Sequence, residues 1–311
     1  MYDRILVIHP GALGDFILSL PVIAGLREQY PRAHVEALAR GGAASLADGI
    51  ADSTGNLDTF VVAGAGGSSD HFDSFDLIIT WSAGPGSPYV AEGFRGEAVI
   101  LPAKPASAVS ASVFFFERIP QLRGAEWRPA RVCVTGAEAA EAERLLSDAG
   151  LDPTREVLAV HPGSGGRKKC WPAEHFARVI GAGLNSGRQA LLLEGEADAQ
   201  AVADVVRLLA ADRVPVLRNL PFRMLAAVLN RCRRYLGNDS GVSHLAAAAG
   251  ADCVLVFGPT DPDVWCPAGP NVTAVVAGLP CRPCRETEPD CETQRCLTEL
   301  TPERVLDVMR V

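Results

Sequence analysis

The feature that most constrains the fold is an apolar, strand-like run that ends in His-Pro-Gly and occurs once in each half of the chain. "RILVIHPG" contains His9, and "VLAVHPG" contains His161. Continuous apolar runs of this length are typical of parallel strands that are buried on both faces. Ligands of parallel α/β sheets bind beyond the carboxyl ends of such strands. The repeat predicts two ligand-facing loops on two sheets, although ordinary loop chemistry also explains each turn taken alone.

Strand-like and helix-like segments alternate through both halves, which predicts two open parallel sheets with helical crossovers. A chain of 311 residues is long enough for two such domains. We predict an N-terminal domain at 1–152 and a C-terminal domain at 153–311, which begins just before the second apolar run. Within the first domain we expect a short strand at "DTFVVAG", residues 58–64, and a helix kinked at Pro21.

Charge and hydropathy exclude several classes of protein. A net charge of −8 and a pI near 5.3 argue against a nucleic-acid partner, because such proteins usually carry a basic face. The apolar runs are too short to span a membrane, and the N-terminus lacks the basic start and long apolar core of a signal peptide. We therefore expect a cytoplasmic protein.

The segment "LGNDSGVSHLAAAAG" is the most informative one for ligand binding. Asp239 and Ser240 are N-cap residues for an Ala-rich helix that follows a strand. Gly241 and His244 lie in its first turn, where N–H groups and the helix dipole can receive a diphosphate. A well-capped structural helix is the alternative, but a cap needs neither Gly241 nor His244. We predict that Asp239, Ser240, Gly241 and His244 bind phosphate.

Two neighbouring loops are expected to contribute to the same site. Thr260, in "FGPT", can add a hydroxyl, and Ser164 is assigned to ligand binding in the glycine-rich loop after the second apolar run. Lys168 and Lys169 follow that loop and can neutralise charge on a leaving diphosphate. A charged loop that is simply solvated is the alternative.

Three carboxylates lie at or just after the end of the strand "ALLLE". Glu194 is its last residue, and Glu196 and Asp198 follow. A carboxylate at the end of such a strand often accepts ribose hydroxyls. The spacing does not decide which of the three has this role.

In the first half, Asp15 follows "PGALG" in the first turn of the first predicted helix. A carboxylate at this position stabilises the helix dipole, which is the structural interpretation. In the functional interpretation it is a general base that faces a ligand held by the other half. The first half alone favours the structural interpretation. We also assign the preceding Gly14 to ligand binding.

Four segments together resemble the motifs of glycosyltransferase family 9, the ADP-heptose–lipopolysaccharide heptosyltransferases: "GALGDFILSLP", "HPGSGGRKKCWP", "GNDSGVSHLAAA" and "FGPTDP". Their order and spacing agree over nearly the whole chain. The resemblance implies an α/β protein of the GT-B type, with two Rossmann-like, doubly wound domains facing a cleft. The N-terminal domain would hold the acceptor and the C-terminal domain the nucleotide-sugar.

The implied activity is an inverting transfer of heptose from ADP-heptose to a saccharide or glycolipid such as the lipopolysaccharide core. No catalytic metal or other cofactor is implied, and peripheral contact with the inner face of the inner membrane stays open. Matched by motif, Asp15 is the implied base and Lys168 or Lys169 the implied basic contact to the donor. Asp198 best matches the ribose-binding acid, and the turn from Asp239 to His244 matches the donor-binding turn.

Two other classes of function remain as alternatives. The first is an NAD-type oxidoreductase, because "GALG" weakly resembles a dinucleotide-binding motif. The chain lacks the G-x-G-x-x-G arrangement there. A non-catalytic protein that binds nucleotide-sugars would use Asp15 only as a structural residue.

The spacing of Cys281, Cys284, Cys291 and Cys296 predicts a structural metal site. Four thiolates can close a tetrahedral site, and the polar segment between them has little else to order it. Zinc is the first expectation and iron the second. Two disulfides or four reduced thiols are the alternatives. Four protein ligands leave no open position for substrate, so the expected role is structural.

Overall fold

A computed structural model describes residues 2–310 except 63–68, 85, 91–93, 106–107, 153, 210–213, 285–290 and 292–293. The chain divides into two units, Met1–Cys133 and Val134–Val311. Each unit has its own sheet, and every strand pair in both sheets is parallel, as predicted. Among the described residues, no helix has both the length and the apolar character needed to cross a membrane.

The first unit carries a five-stranded sheet of order β3-β2-β1-β4-β5. Its strands are β1 (Arg4–His9), β2 (His34–Ala39), β3 (Ser53–Asn56), β4 (Leu77–Ser82) and β5 (Glu97–Pro102). Its helices are α1 (Leu13–Gln29), α2 (Leu57–Val62), α3 (Ser69–Phe72) and α4 (Ala111–Glu117), with 3₁₀ segments at Arg40–Ala47 and Pro120–Leu122.

Strand β1 lies at the centre of this sheet, between β2 and β4. Its apolar residues Ile5–Ile8 are fully buried, which explains the continuous apolar run in the sequence. The chain order reverses between β1 and β4, so the loop after His9 lies at the topological switch point, where ligands of such sheets bind.

The strand predicted at residues 58–64 is wrong. Residues up to Val62 belong to helix α2, and residues 63 and 64 lie outside the described part of the chain. Asn56 ends β3, and its Oδ1 accepts a hydrogen bond from the Asp58 N–H at 3.0 Å. This cap starts a helix and overrides the β propensity of the residues that follow. Helix α1 continues through Pro21 to Gln29.

The second unit carries a six-stranded sheet of order β11-β10-β9-β6-β7-β8. Its strands are β6 (Val157–His161), β7 (Gln189–Glu194), β8 (Val216–Arg218), β9 (Arg233–Asn238), β10 (Asp252–Val256) and β11 (Val272–Val275). Its helices are α5 (Gly136–Asp148), α6 (Ala173–Asn185), α7 (Ala199–Leu208), α8 (Phe222–Cys232), α9 (Gly241–Ala248), α10 (Pro262–Trp265), α11 (Arg295–Thr298) and α12 (Pro302–Met309), with a 3₁₀ turn at Arg167–Lys169.

The order of this second sheet is that of a Rossmann fold, and its switch point lies between β6 and β9. The His-Pro-Gly turn after β6 therefore takes the same topological position as the turn after β1. The predicted repeat corresponds to the first strand of each unit.

Helix α5 belongs to the second unit, although the predicted division at residue 152 placed it in the first. It packs against α8. Arg223 Nε and Nη2, on α8, lie 2.8 and 2.7 Å from Glu138 Oε1 and Oε2, on α5. This bidentate pair lowers the pKa of Glu138 to about 2, chiefly through the hydrogen bond to the guanidinium. The sequence pattern shows that a helix is present but not against which sheet it packs.

Candidate functional site

Loops from three neighbouring strands meet at Asp239, just beyond the carboxyl end of β9. Lys169 Nζ lies 2.8 Å from Asp239 Oδ2, and Thr260 Oγ1 donates to the same oxygen at 2.7 Å. Ser164 Oγ donates to the main-chain carbonyl of Asp239 at 2.7 Å. The structure thus brings together four residues that the sequence assigned to one ligand site.

These contacts give the Asp239 carboxylate an organising role. The hydroxyl hydrogen of Thr260 points to Asp239 in this structure rather than outward. The Asp239 side chain is buried, whereas that of Lys169 is 37% exposed, so the ammonium is anchored by Asp239 and still open to solvent. A carboxylate accepts hydrogen bonds but cannot donate them, so Asp239 suits holding cations better than holding phosphate.

Helix α9 begins at this edge of the sheet. Ser240 has extended backbone geometry, and its Oγ accepts a hydrogen bond from the Ser243 N–H at 3.3 Å, as an N-cap does. Gly241 and Val242 supply the N–H groups that precede the capped one. The first turn of a helix has no intrahelical acceptors for these groups, which therefore suit an anionic ligand.

His244 lies in the first turns of the same helix and is 5% exposed. Burial lowers its pKa to about 4, although the nearby Asp239 acts in the opposite direction, so the imidazole is neutral at pH 7. Its Nδ1 has no hydrogen-bond partner among the described residues. A buried polar atom without a partner is unusual in a folded protein, and a ligand at this site would explain it.

Asn238 fixes the His-Pro-Gly loop of the second unit, a role that the sequence reasoning missed. Its Nδ2 donates to the carbonyls of Pro162 (2.8 Å) and Gly163 (3.2 Å), and its Oδ1 accepts from the Trp171 N–H at 3.0 Å. The side chain is fully buried. A polar residue that ends a buried strand was the signal that could have identified it.

The three carboxylates predicted near the ribose have different surroundings. Asp198 is buried, and its Oδ2 lies 2.8 Å from His161 Nε2 and accepts the Gly195 N–H at 3.2 Å. Burial is the largest single influence and would raise the pKa of Asp198, but the hydrogen bond and charge interaction with His161 and the hydrogen bond from the Gly195 N–H together outweigh it, so the pKa is lowered. Glu194 lies 3.2 Å from Arg218 Nε, and Glu196 is exposed. The partnership of His161 with Asp198 was not predicted.

A cavity of about 170 Å³ lies beside Asp198, between the turn after β6 and the start of α7. Ser164 and Arg167 also line it, so that carboxylate, hydroxyl and guanidinium groups converge there. A concave space with a few converging polar groups is the usual form of a small-molecule site.

In the first unit, Asp15 and His9 lie on either side of Gly11. Asp15 Oδ2 accepts the Ala12 N–H at 3.2 Å, and His9 Nδ1 accepts the Gly11 N–H at 3.1 Å. A Cβ atom on Gly11 would lie 2.8 Å from His9 Cε1 and 2.9 Å from Asp15 Oδ2, so a larger residue would displace one of these side chains. The helix-start contact of Asp15 is therefore present, and its role as a base stays a prediction.

His9 packs its ring against Trp81, with ring centroids 4.6 Å apart. Burial lowers the pKa of His9 to about 3, so this imidazole is also neutral at pH 7. Gly14 lies in the first turn of α1, directly before Asp15.

The four clustered cysteines differ in burial. Cys281 and Cys291 are exposed and Cys284 is half-buried, whereas Cys296 packs into the hydrophobic core of the second unit. Within the described residues, no three Cys, His, Asp or Glu side chains are arranged to hold a metal ion. The described part of the chain therefore does not fit the predicted structural metal.

Residues 125–294 match the family described as Glycosyltransferase family 9 (heptosyltransferase). This match covers more than half of the chain. The chain belongs to glycosyltransferase family 9. The resemblance drawn from the four sequence motifs is confirmed.

Relatives of this family 9 protein include lipopolysaccharide heptosyltransferase 2 of Salmonella typhimurium, 26% identical over 60% of this chain and 56% of that protein. Lipooligosaccharide heptosyltransferase 2 of Campylobacter jejuni is 28% identical over 49% of this chain and 50% of its own. The chain thus spans about half the length of these curated relatives.

Solved structures resemble the family 9 protein over almost its whole length. A glycosyl transferase family 9 protein from Veillonella parvula has a TM-score of 0.80 at 19% identity and covers 99% of this chain and 96% of its own. E. coli ADP-heptose lps heptosyltransferase II has a TM-score of 0.76 at 18% identity, over 99% and 97%. The predicted fold class, two Rossmann-like units of the GT-B type, is confirmed.

Proposed function

We propose that this family 9 protein is an inverting glycosyltransferase that moves heptose from ADP-heptose to a saccharide or glycolipid such as the lipopolysaccharide core. The observation that carries the proposal is the assembly around Asp239. There an anchored ammonium lies near the N-terminus of α9, which suits a diphosphate leaving group.

The proposed donor and acceptor are taken from the relatives of this chain. Relatives are described as lipopolysaccharide or lipooligosaccharide heptosyltransferases, and structures of E. coli heptosyltransferase WaaC contain ADP or ADP-2-deoxy-2-fluoro heptose. A glycolipid acceptor would bring the protein to the inner face of the inner membrane as a peripheral, cytoplasmic enzyme.

The proposed donor site lies entirely within the second unit. The N–H groups of Gly241 and Val242 receive the diphosphate, and Lys169 neutralises the charge that develops when the sugar leaves. Ser164 holds the glycine-rich loop to Asp239, which positions these groups. Asp198 is proposed to accept hydrogen bonds from the ribose hydroxyls of the donor, because it lines the cavity of about 170 Å³ beside this turn.

The proposed base is Asp15. In a single displacement, the acceptor hydroxyl gives its proton to the Asp15 carboxylate, its oxygen forms a bond to the anomeric carbon, and the bond from that carbon to the diphosphate breaks. The electron pair of the broken bond stays on the nucleoside diphosphate, and attack from the opposite face inverts the anomeric centre. No step in this sequence requires a metal ion.

A coupled measurement of nucleoside diphosphate release, which detects both ADP and UDP, tests the proposal. The protein is incubated with ADP-heptose or with UDP-hexoses, each with and without a deacylated lipopolysaccharide core, and the product is analysed by mass spectrometry. Acceptor-dependent ADP release with a mass gain of one heptose supports the proposal. Binding of ADP-heptose without transfer to any acceptor would instead favour a non-catalytic binding protein.

The structural metal at the cysteine cluster rests on the spacing of the four cysteines alone. Elemental analysis of protein purified without chelators tests it. About one equivalent of zinc or iron per chain would show that the four thiolates close a site. Less than a tenth of an equivalent would exclude it.

A further inference from the structure

A continuous run of hydrogen bonds links Asp198 to the first turn of α9. Asp198 Oδ2 lies 2.8 Å from His161 Nε2, and His161 Nδ1 lies 3.4 Å from Ser240 Oγ. Ser240 Oγ in turn lies 3.1 Å from Ser243 Oγ. The run joins the end of β6, the start of α7 and the N-cap of α9, which come from distant parts of the sequence.

Solvent is almost absent from this network. His161 is 2% exposed and Ser243 is 1% exposed. Ser243 Oγ also lies 3.0 Å from the hydroxyl of Tyr235, which is fully buried, and it donates to the carbonyl of Asn238. Buried polar groups of this kind are costly when left without partners, so each contact constrains its neighbours.

The two ring nitrogens of His161 contact different residues: Nε2 contacts Asp198 and Nδ1 contacts Ser240. Together these contacts fix the orientation of the ring. Rotation toward Ser240 would break the contact with Asp198, and rotation toward Asp198 would break the contact with Ser240. Asp198 is itself held by the Gly195 N–H at 3.2 Å. The imidazole therefore links the β7–α7 loop to the hydroxyl of Ser240, so that the position of the loop constrains the position of the hydroxyl.

We propose that His161, held by Asp198, is a positioning residue that orients the Ser240 hydroxyl and thereby the phosphate-binding turn of α9. Because the hydroxyl of Ser240 is engaged by His161 and Ser243, the diphosphate is received by the main-chain N–H groups of Gly241 and Val242. The inference rests on the proposed function of α9 as the donor site and assigns His161 a role there. The two His-Pro-Gly turns differ here, because the ring of His9 packs against Trp81.

Two substitutions of His161 separate its two contacts. In His161→Asn, the amide of the shorter side chain lies near the place of Nδ1 and can still contact Ser240. In His161→Gln, the amide reaches the place of Nε2 and keeps the contact with Asp198 but not the one with Ser240. The probe is ADP, with its Kd measured by isothermal titration calorimetry. His175→Asn, in the same unit but outside the network, is the matched control.

We expect ADP affinity to fall about tenfold in His161→Gln, because the Ser240 hydroxyl loses a buried partner, and to stay within about threefold of wild type in His161→Asn. The double variant His161→Gln/Ser240→Ala should bind ADP no more weakly than Ser240→Ala, because His161 acts through Ser240. The rescue by Asn and this non-additivity are readouts that a merely structural histidine would not give.

Three results would overturn the inference: unchanged affinity in His161→Gln, equal losses in the Asn and Gln variants, or full additivity with Ser240→Ala. If His161→Gln fails to fold, Ser240→Ala takes its place, and unchanged ADP affinity in that variant overturns the inference too. Failure of the proposed function is a separate outcome, since wild-type protein would then bind no ADP at all.

Discussion

Lys169 Nζ and Asp239 Oδ2 lie 2.8 Å apart, at the point where the turn after β6 meets the start of α9. The same carboxylate oxygen accepts a hydrogen bond from the Thr260 hydroxyl, and the Lys169 side chain keeps part of its surface open to solvent. An ammonium fixed in this way needs no rearrangement before it stabilises a developing negative charge.

Lys169→Met should therefore slow turnover more than Lys168→Met. Methionine keeps much of the length of the side chain but removes its charge, and we expect kcat to fall by on the order of 10²-fold at Lys169. Steady-state ADP release from both variants, measured with the same acceptor, makes the comparison. Equal losses at the two positions would contradict the assignment of the donor contact to Lys169.

Asp15→Asn should lower turnover by on the order of 10²–10⁴-fold if the carboxylate is the base. The amide oxygen of Asn can still accept the Ala12 N–H, so the start of α1 and the melting temperature should change little. Affinity for ADP should also be unchanged, because the proposed donor site lies in the other unit. Near-normal turnover would show that Asp15 only caps the helix.

Gly163→Ala should destabilise the second unit, whereas Gly165→Ala should not. A Cβ atom on Gly163 would lie 1.9 Å from Asp198 Oδ1 and 2.3 Å from its Cγ, while one on Gly165 would meet nothing within 4 Å. We expect a loss of about 1–3 kcal/mol for Gly163→Ala and less than about 0.5 kcal/mol for Gly165→Ala. Urea unfolding of the two variants and of wild type measures the difference, and similar midpoints would argue against this close contact.

Protonation of His244 should make stability depend on pH. Its pKa falls from the ordinary value of 6.5 to about 4 on folding, so the folded state favours the neutral ring. This contribution is complete above pH 6.5 and is lost as pH falls toward 4; between pH 7.5 and 5 it amounts to about 2 kcal/mol.

His244→Gln removes the titrating group from this site. Relative to wild type, the variant should lose about 2 kcal/mol less stability between pH 7.5 and pH 5. Urea unfolding at the two pH values gives the four free energies required. Parallel losses in the two proteins would show that the ring is not protonated on unfolding in this range.

The sequence was sufficient to predict the positions of the main strands and the residues around Asp239. Apolar runs identify buried parallel strands, and the carboxyl ends of such strands meet at one edge of a sheet. The side-chain partners were not predictable in the same way. His161 ends β6 and Asp198 follows β7, and no local sequence pattern indicates that their side chains share a hydrogen bond. Local capping by Asn56 likewise outweighed the β propensity of the segment after it.

The bidentate pair of Arg223 and Glu138 has a consequence for recombining proteins of this family. Because α5 is held to α8 and its capping box begins at Thr135, a crossover between Cys133 and Val134 transfers the second unit with all of its own helices. A crossover at residue 152 would join a foreign α5 to α8 and lose the ion pair wherever the donor chain lacks the matching glutamate. Chimaeras that exchange the first unit should therefore be joined ahead of α5, where the inherited unit keeps both the helix and its partner.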